Sequence, residues 1–312
     1  LVVVNYIHWS PGTEIECSSR GGIRDYCSPV SYRAPATDVL YHNRGNGTFE
    51  NVTRKAGFDR AFGNGLGVAT GDFNRDGHID VFIANDAMPN QLWINHGNGR
   101  FTDEALIRGC AVNALGMTRA GMGVVAVDLF QRSSLDLFVT HLVGEGNGLF
   151  VNTNGTFFDL VTVRGPAAPS GPFTGFGLGF ADFDHDGELD LFVANGRVKL
   201  GHRDWDTKDP YAEPNTVLRG LGNGDFEELR PQGGVAGPQA MTSRGSACGD
   251  IDNDGDVDII VVNRDGPLHV LRNIVGGRGN WIVFRVTNRG GSDALNAVLR
   301  IEAAGRTFWR QV

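Results

Sequence analysis

The chain has 312 residues, 41% hydrophobic and 21% charged, with 45 glycines and a formal net charge of −8. That length can bury a large core, and no apolar run approaches the roughly 20 residues of a membrane helix, so direct membrane insertion is not expected. The acidic balance, with no basic stripe, argues against nucleic acid as a partner.

In chain order, residues 1–57 read as a partial blade. Leu1–Asn5 matches the apolar strands that elsewhere follow an acidic loop, as at Leu191–Asn195 and Ile259–Asn263, so the architecture is expected to be incomplete at its N-terminus. A long loop, 6–37, carries Tyr6, Trp9, Tyr26 and Tyr32, and holds Cys17 and Cys27 ten positions apart, a spacing that allows a local disulfide. Leu40–Asn43 then reads as a strand, followed by the turn Gly45-Asn46-Gly47 and a strand opening at Phe49. Asn-Gly is a strong hairpin signal because both turn positions need positive φ.

Four fuller units follow, at 58–109, 110–164, 165–230 and 231–278. Each opens with a small-residue strand whose glycine (Gly67, Gly123, Gly177 or Gly245) lies five positions before an acidic loop. Small residues there suit a propeller axis, where sheets converge. Three of the loops read D-x-[DN]-x-D-G-x-x-D, beginning at Asp72, Asp182 and Asp250. Oxygen donors at alternate positions around a glycine turn describe a hard-cation cage, best suited to Ca²⁺. The expected ligands are Asp72, Asn74, Asp76, the carbonyl of His78, and Asp80. In the second cage they are Asp182, Asp184, Asp186, the carbonyl of Glu188, and Asp190; in the third, Asp250, Asp252, Asp254, the carbonyl of Asp256, and Asp258. One such loop could be an acidic surface turn; three in register point to metal, with about three ions expected. The first cage has one carboxylate fewer and is expected to bind most weakly.

The loop at Asp128–Asp136 is a degenerate copy. Phe130 and Arg132 occupy ligand positions and Ser133 replaces the glycine. No calcium is expected there. Two readings of Arg132 stand: a guanidinium set between Asp128 and Asp136 in place of the cation, or an exposed arginine. Cys110 and Cys248 read as buried free thiols.

After each loop comes a nearly continuous apolar strand, as in Asp80–Asn85 and Asp190–Asn195, which suits burial on both faces. A repeat of 54–68 residues with this order fits four-stranded blades, so the fold class is an all-β propeller. Strand alternation places the cages and the Gly-Asn-Gly turns on one face and the loops joining second to third strands on the other. Two of those loops, 6–37 and 196–214, are long. They hold Tyr6, Trp9, Tyr26, Tyr32, Trp205 and Tyr211. Such aromatics suit recognition of a protein or polysaccharide, or else pack together to order the loops. His8 and His202 lie in the same loops.

Catalytic signatures of the HExxH, GxSxG, P-loop and GxGxxG kinds are absent from the sequence. Asp204, Asp206, Asp209 and Glu213 could serve acid/base work on a polysaccharide, as lyase or hydrolase, or form a solvated acidic loop. The sequons at Asn46, Asn51 and Asn154 are explained by hairpin and strand chemistry.

The repeats at 1–278 resemble FG-GAP/VCBS calcium-binding propellers. The stretches Tyr26–Pro29, Leu40–Phe49, Asn280–Val286 and Ala303–Thr307 resemble the ASPIC/UnbV family. That resemblance implies a secreted propeller followed by a small β module, here beginning at 279 and truncated at 312, and it implies no known reaction. An extracellular, cell-surface or periplasmic adhesion, scaffolding or recognition module is therefore expected, or a structural part of an extracellular assembly.

Overall fold

The computed structural model describes the chain except residues 20, 161–171, 201–207, 236, 238, 276–278, 295–296, 304 and 312. It is all-β, with small antiparallel sheets arranged as five propeller blades. Blade 1 pairs Val2–Val3, Val39–Asn43 and Phe49–Asn51. Blade 2 pairs Gly65–Gly71, Asp80–Asn85, Gln91–Asn95 and Phe101–Asp103; blade 3 pairs Val124–Val127, Asp136–Val139, Gly148–Thr153 and Thr156–Asp159. Blade 4 pairs Gly175–Ala181, Asp190–Asn195, Thr216–Gly220 and Phe226–Glu228, and blade 5 pairs Ser243–Gly249, Asp258–Asn263 and His269–Leu271.

The second strand of each blade explains its own composition. Residues Asp80–Asn85 are buried throughout. Val81 and Ile83 pack with Trp93 and Phe58 toward blade 1, while Phe82 and Ala84 pack against Leu137, Val139 and Phe150 of blade 3. Alternate side chains therefore enter two different cores, and neither parity can be polar. The pattern repeats between blades 3 and 4, where Phe138 and Leu149 meet Leu191, Val193 and Leu218. It repeats again between blades 4 and 5, where Phe192 and Ala194 meet Ile259 and Val261.

The inner strands converge at their glycines. A Cβ on Gly67 would lie 2.5 Å from the Met122 carbonyl oxygen, one on Gly123 2.0 Å from that of Phe176, and one on Gly177 2.6 Å from Gly245 Cα. Each glycine lets its strand touch the next blade's backbone, which no larger residue allows.

Among the described residues three two-stranded pairings fall outside the blades, one of them Cys17–Ser18 with Arg24–Asp25 inside the first long loop. Glu213–Pro214 pairs with Ala240–Met241, tying the long loop of blade 4 to the link before blade 5. The tail hairpin, Val298–Ala303 with Arg306–Gln311, lies on the cage face of blades 3 and 4. There the Trp309 amide and the Arg310 guanidinium both donate to Gln131 Oε1, at 2.8 and 2.9 Å, and Arg306 pairs with Glu188. Four-residue helical turns at Thr53–Ala56 and Ala105–Arg108 follow the last strands of blades 1 and 2.

Candidate metal centres

All four acidic loops share one backbone fold, built around the first aspartate. Asp72 accepts the amides of Asp76 and Gly77 at 3.0 and 2.8 Å; Asp182 accepts those of Asp186 and Gly187 at 3.0 and 2.9 Å; Asp250 accepts those of Asp254 and Gly255 at 3.2 and 3.0 Å. The turn requires φ near +90° at Gly77, Gly187 and Gly255. The ninth residue clips the loop to the sheet. Asp80 accepts the amides of Phe73 and Asn95, Asp190 those of Phe183 and Gly220, and Asp258 those of Ile251 and Asn273, all at 2.8–3.1 Å.

Carboxylate oxygens of Asp182, Asp184 and Asp190 lie within 4.8 Å of one another, as do those of Asp250, Asp252 and Asp254. Burial, opposed by backbone hydrogen bonds and reinforced by the neighbouring carboxylates, pushes Asp80 and Asp190 up to about 6. The same causes raise Asp182. A donor set made only of oxygen, held close enough to repel, fits a hard divalent cation.

Each of the two four-carboxylate cages also has an arginine that the motif did not reveal. Arg219 lies 3.3 Å from Asp184 and 3.0 Å from Asp186; Arg272 lies 2.6 Å from Asp252 and 3.0 Å from Asp254. Arg219 sits on the third strand of blade 4 and Arg272 directly follows that of blade 5, each one residue before the amide that binds the ninth aspartate. Ile94 and Val151 hold that place in blades 2 and 3. Four carboxylates less one guanidinium leave three negative charges, which matches Asp72, Asp76 and Asp80 of the first cage. The signal was present as Leu218-Arg219-Gly220 and Leu271-Arg272-Asn273 against Trp93-Ile94-Asn95, legible only once the third strands are aligned.

The degenerate loop keeps the fold without the donors. Asp128 accepts the amides of Arg132 and Ser133 at 2.8 and 2.6 Å, and Asp136 accepts that of Asn152 at 2.8 Å. The Arg132 guanidinium donates to Asp136 at 2.9 Å and lies 4.8 Å from the Phe130 ring centre, with 39% of its side chain exposed. It pairs with one aspartate and does not bridge both. Burial raises fully enclosed Asp136 to about 6 although Arg132 opposes the shift.

The cages are tied across blades. Arg75 donates to the carbonyls of Arg132 and Ser133, and His185 Nε2 lies 3.5 Å from Asp256. Asn152 and Asn273 each donate a side-chain N–H to the phenylalanine of the preceding cage loop, Phe73 and Phe183, at 2.8 Å.

On the opposite face the aromatic residues divide. Tyr6 donates to Asp86 at 2.6 Å, and burial with that carboxylate raises its pKa. Tyr26 and Tyr211 pack at 5.3 Å with Arg264 against both rings, and burial with Asp25 pushes Tyr211 up to about 12. Trp9 and Tyr32 share Glu14, and Trp9 remains 54% exposed. Trp205, His202, Asp204 and Asp206 lie outside the described residues. Cys17 and Cys27 are joined by a disulfide; Cys110 is buried, but Cys248, expected to be buried, is only half-buried, at the edge of the core shared by blades 4 and 5. Glu213, read above as part of an acidic loop, is fully buried. It accepts the Thr174 amide at 2.8 Å and pairs with Arg197 at 3.0 Å, which commits it to structure. Asp209 accepts the Thr242 hydroxyl and the Tyr211 amide and faces Arg264.

Residues 22–83 and 72–139 match the family described as FG-GAP-like repeat. Cartilage acidic protein 1 of Mus musculus is 32% identical over 193 residues, 59% of this chain and 27% of its own length. The Homo sapiens protein is also 32% identical, with 26% of its length covered, and that of Xenopus tropicalis is 30% identical, with 27% covered. The chain thus spans about a quarter of the length of these relatives. A solved structure of an Agrocybe aegerita lectin, described as recognising non-reducing terminal N-acetylglucosamine, is 16% identical. Its TM-score is 0.39, covering 77% of this chain and 76% of the other. The chain is a β-propeller protein with FG-GAP-like repeats, related to cartilage acidic protein 1.

Proposed function

We propose that the protein is a calcium-stabilised propeller that acts outside the cytoplasm as a recognition or adhesion module, with its partner, an extracellular protein or polysaccharide, held on the face of the long loops. The observation that carries the reading is the recurrence of all-oxygen cages on one backbone fold, each clipped to its blade through a buried ninth aspartate. Asp72, Asn74, Asp76, the His78 carbonyl and Asp80 would hold one ion, with the corresponding residues of blades 4 and 5 holding two more. The ion's contribution there is structural: charge neutralisation across carboxylates of the loop that joins a blade's first strand to its second. The Cys17–Cys27 disulfide supports an oxidising compartment.

Arg219 and Arg272 revise the expected order of affinity. With equal net charge, the first cage should bind as tightly as the others, or more tightly, because no guanidinium must be displaced there. The enzyme reading loses support, because Glu213 and Asp209 are engaged in holding loops together.

Thermal unfolding in Ca²⁺, in Mg²⁺ and in excess chelator, with metal content measured on the same sample, tests the proposal. A calcium-specific rise in melting temperature with about three bound ions is expected. An unchanged melting temperature and no bound metal would reduce the loops to acidic turns and remove the main support for the reading.

A further inference from the structure

We infer that the cleft beside Trp9 is a binding site for a neutral oligosaccharide, with the indole as its stacking platform. It lies on the long-loop face, and the assignment rests on the recognition reading above. The cleft has a volume of about 480 Å³, and its lining includes Asn5, Ile7, His8, Trp9, Ser10 and Thr13. That volume is in the range of small-ligand sites.

The platform is fixed before any ligand arrives. The Trp9 indole N–H donates to Glu14 Oε2 at 2.5 Å, and the Tyr32 hydroxyl donates to Glu14 Oε1 at 3.2 Å, so one carboxylate sets the ring from its edge. The short turn Pro11–Thr13 is closed by the Thr13 amide on the Ser10 carbonyl at 2.9 Å and by the Ser10 amide on Thr13 Oγ1 at 2.9 Å. The strand side is anchored by the His8 amide on the Ala34 carbonyl and the Asn5 amide on Asp38. A tryptophan held this way loses little conformational entropy on binding, yet 54% of it faces solvent.

The composition of the cleft selects the ligand. One flat aromatic face beside a ring of hydroxyl, amide and imidazole groups matches a sugar, whose C–H face stacks while its hydroxyls donate and accept. Its described lining residues include no lysine or arginine, and the carboxylates that bond lining residues are Glu14, on the Trp9 indole, and Asp38, on the Asn5 amide. A sulfated or uronate-rich chain would meet no lysine or arginine in that lining. An apolar peptide would leave the polar rim unpaired, at a cost of about 1–3 kcal/mol for each buried group.

The test uses the full chain in calcium, titrated with chitotriose, cellotriose, xylotriose and maltotriose, and with a heparin-derived hexasaccharide as the anionic control. The readout is the Trp9 indole N–H resonance, assigned with W9F, alongside calorimetry. At least one neutral trisaccharide should shift that resonance saturably, W9A should weaken the binding about tenfold, and S10A with T13A should weaken it less. Both variants alter exposed loop residues, and an unchanged melting temperature in calcium certifies their fold. No shift with any neutral trisaccharide overturns the assignment, as does binding that survives in W9A or that occurs with the heparin fragment alone. A calcium-dependent melting temperature beside such a failure leaves the propeller reading intact and removes only the cleft. Loss of the calcium response would strike the propeller reading itself.

Discussion

Blades 3 and 4 carry the same loop with different solutions to the same electrostatic problem. In both, the first aspartate receives two loop amides, and the ninth receives an amide from the third strand. In blade 4, the carboxylates of Asp182, Asp184 and Asp190 converge, and Arg219, paired with Asp184 and Asp186, relieves part of the repulsion. In blade 3 two carboxylates remain, and Arg132 meets the buried one directly. The loop's shape is therefore a property of the backbone and of the two terminal aspartates, whereas the middle positions decide whether the loop presents a cluster of carboxylates or an arginine to the ninth aspartate. Ser133 at φ +57°, where the cages have glycine, shows that the turn persists at some backbone cost once the ligand geometry no longer matters.

The largest effect that can break this contrast is metal removal. Each calcium site should stabilise the chain by about 2.7 kcal/mol at one hundred times its Kd. The metal content should be about three, because blade 3 contributes none. A count of four would erase the difference between the blades. Next is D136N, which sets an amide against the Asn152 amide and the Arg132 guanidinium. It should cost about 2–3 kcal/mol in denaturant unfolding, equally in calcium and in chelator. D190N should cost more in calcium than in chelator, and equal responses of the two variants would mean that both loops are metal-free.

A comparison across pH concerns His141 of blade 3. Burial, with Arg119 adding to it, lowers this imidazole to about 3, and its Nδ1 lies 2.9 Å from the Gly146 carbonyl. The unfolded chain takes up a proton below about 6.5 that the folded chain refuses. The contribution is therefore complete above pH 6.5 and is lost as pH falls toward 3. Between pH 6.5 and 5 this amounts to about 2 kcal/mol. Asp38, raised by burial to about 6, acts in the opposite direction, losing stability as pH rises from about 4 to 6. The difference between the wild type and H141Q isolates the histidine, and parallel pH profiles would refute its role.

Smaller effects sharpen the same comparison. R132A should destabilise blade 3 by about 1–2 kcal/mol, discounted because the guanidinium is partly exposed, and calcium should not restore the loss. No change in unfolding would return Arg132 to the status of a surface residue. R219I should tighten calcium binding at blade 4 about threefold in a site-resolved titration, a shift within the range of an exposed ion pair. Unchanged affinity would show that the arginine leaves the cage freely.

Much of this was legible because the signals are local. Blade strands, glycine turns and cage loops each rest on residues within nine positions of one another, and a both-faces-buried strand such as Asp80–Asn85 announces itself by the lack of alternation. Arg219 and Arg272 were not legible, because they reach the cages from positions about thirty and about twenty residues away along the chain, where an arginine looks like any surface charge. Glu213 misled for the same reason. Its partner Arg197 lies across the long loop, and the pairing of Glu213–Pro214 with Ala240–Met241 that buries it depends on a segment from the next unit.

The sequence by itself determined the repeat, the all-β class, the positions of the acidic loops and the blade in which their motif degenerates. Each of these follows from steric and coordination rules that act within a turn or a strand. The tertiary structure alone decided which charges meet. It brought arginines to two cages and joined His185 of blade 4 to Asp256 of blade 5. It laid Arg306 of the tail against blade 4, and it packed Tyr26 and Tyr211 around Arg264 while leaving Trp9 open beside its cleft. Electrostatic and aromatic partners are chosen by distance in space, and in a propeller that distance is set by how neighbouring blades converge on their glycines.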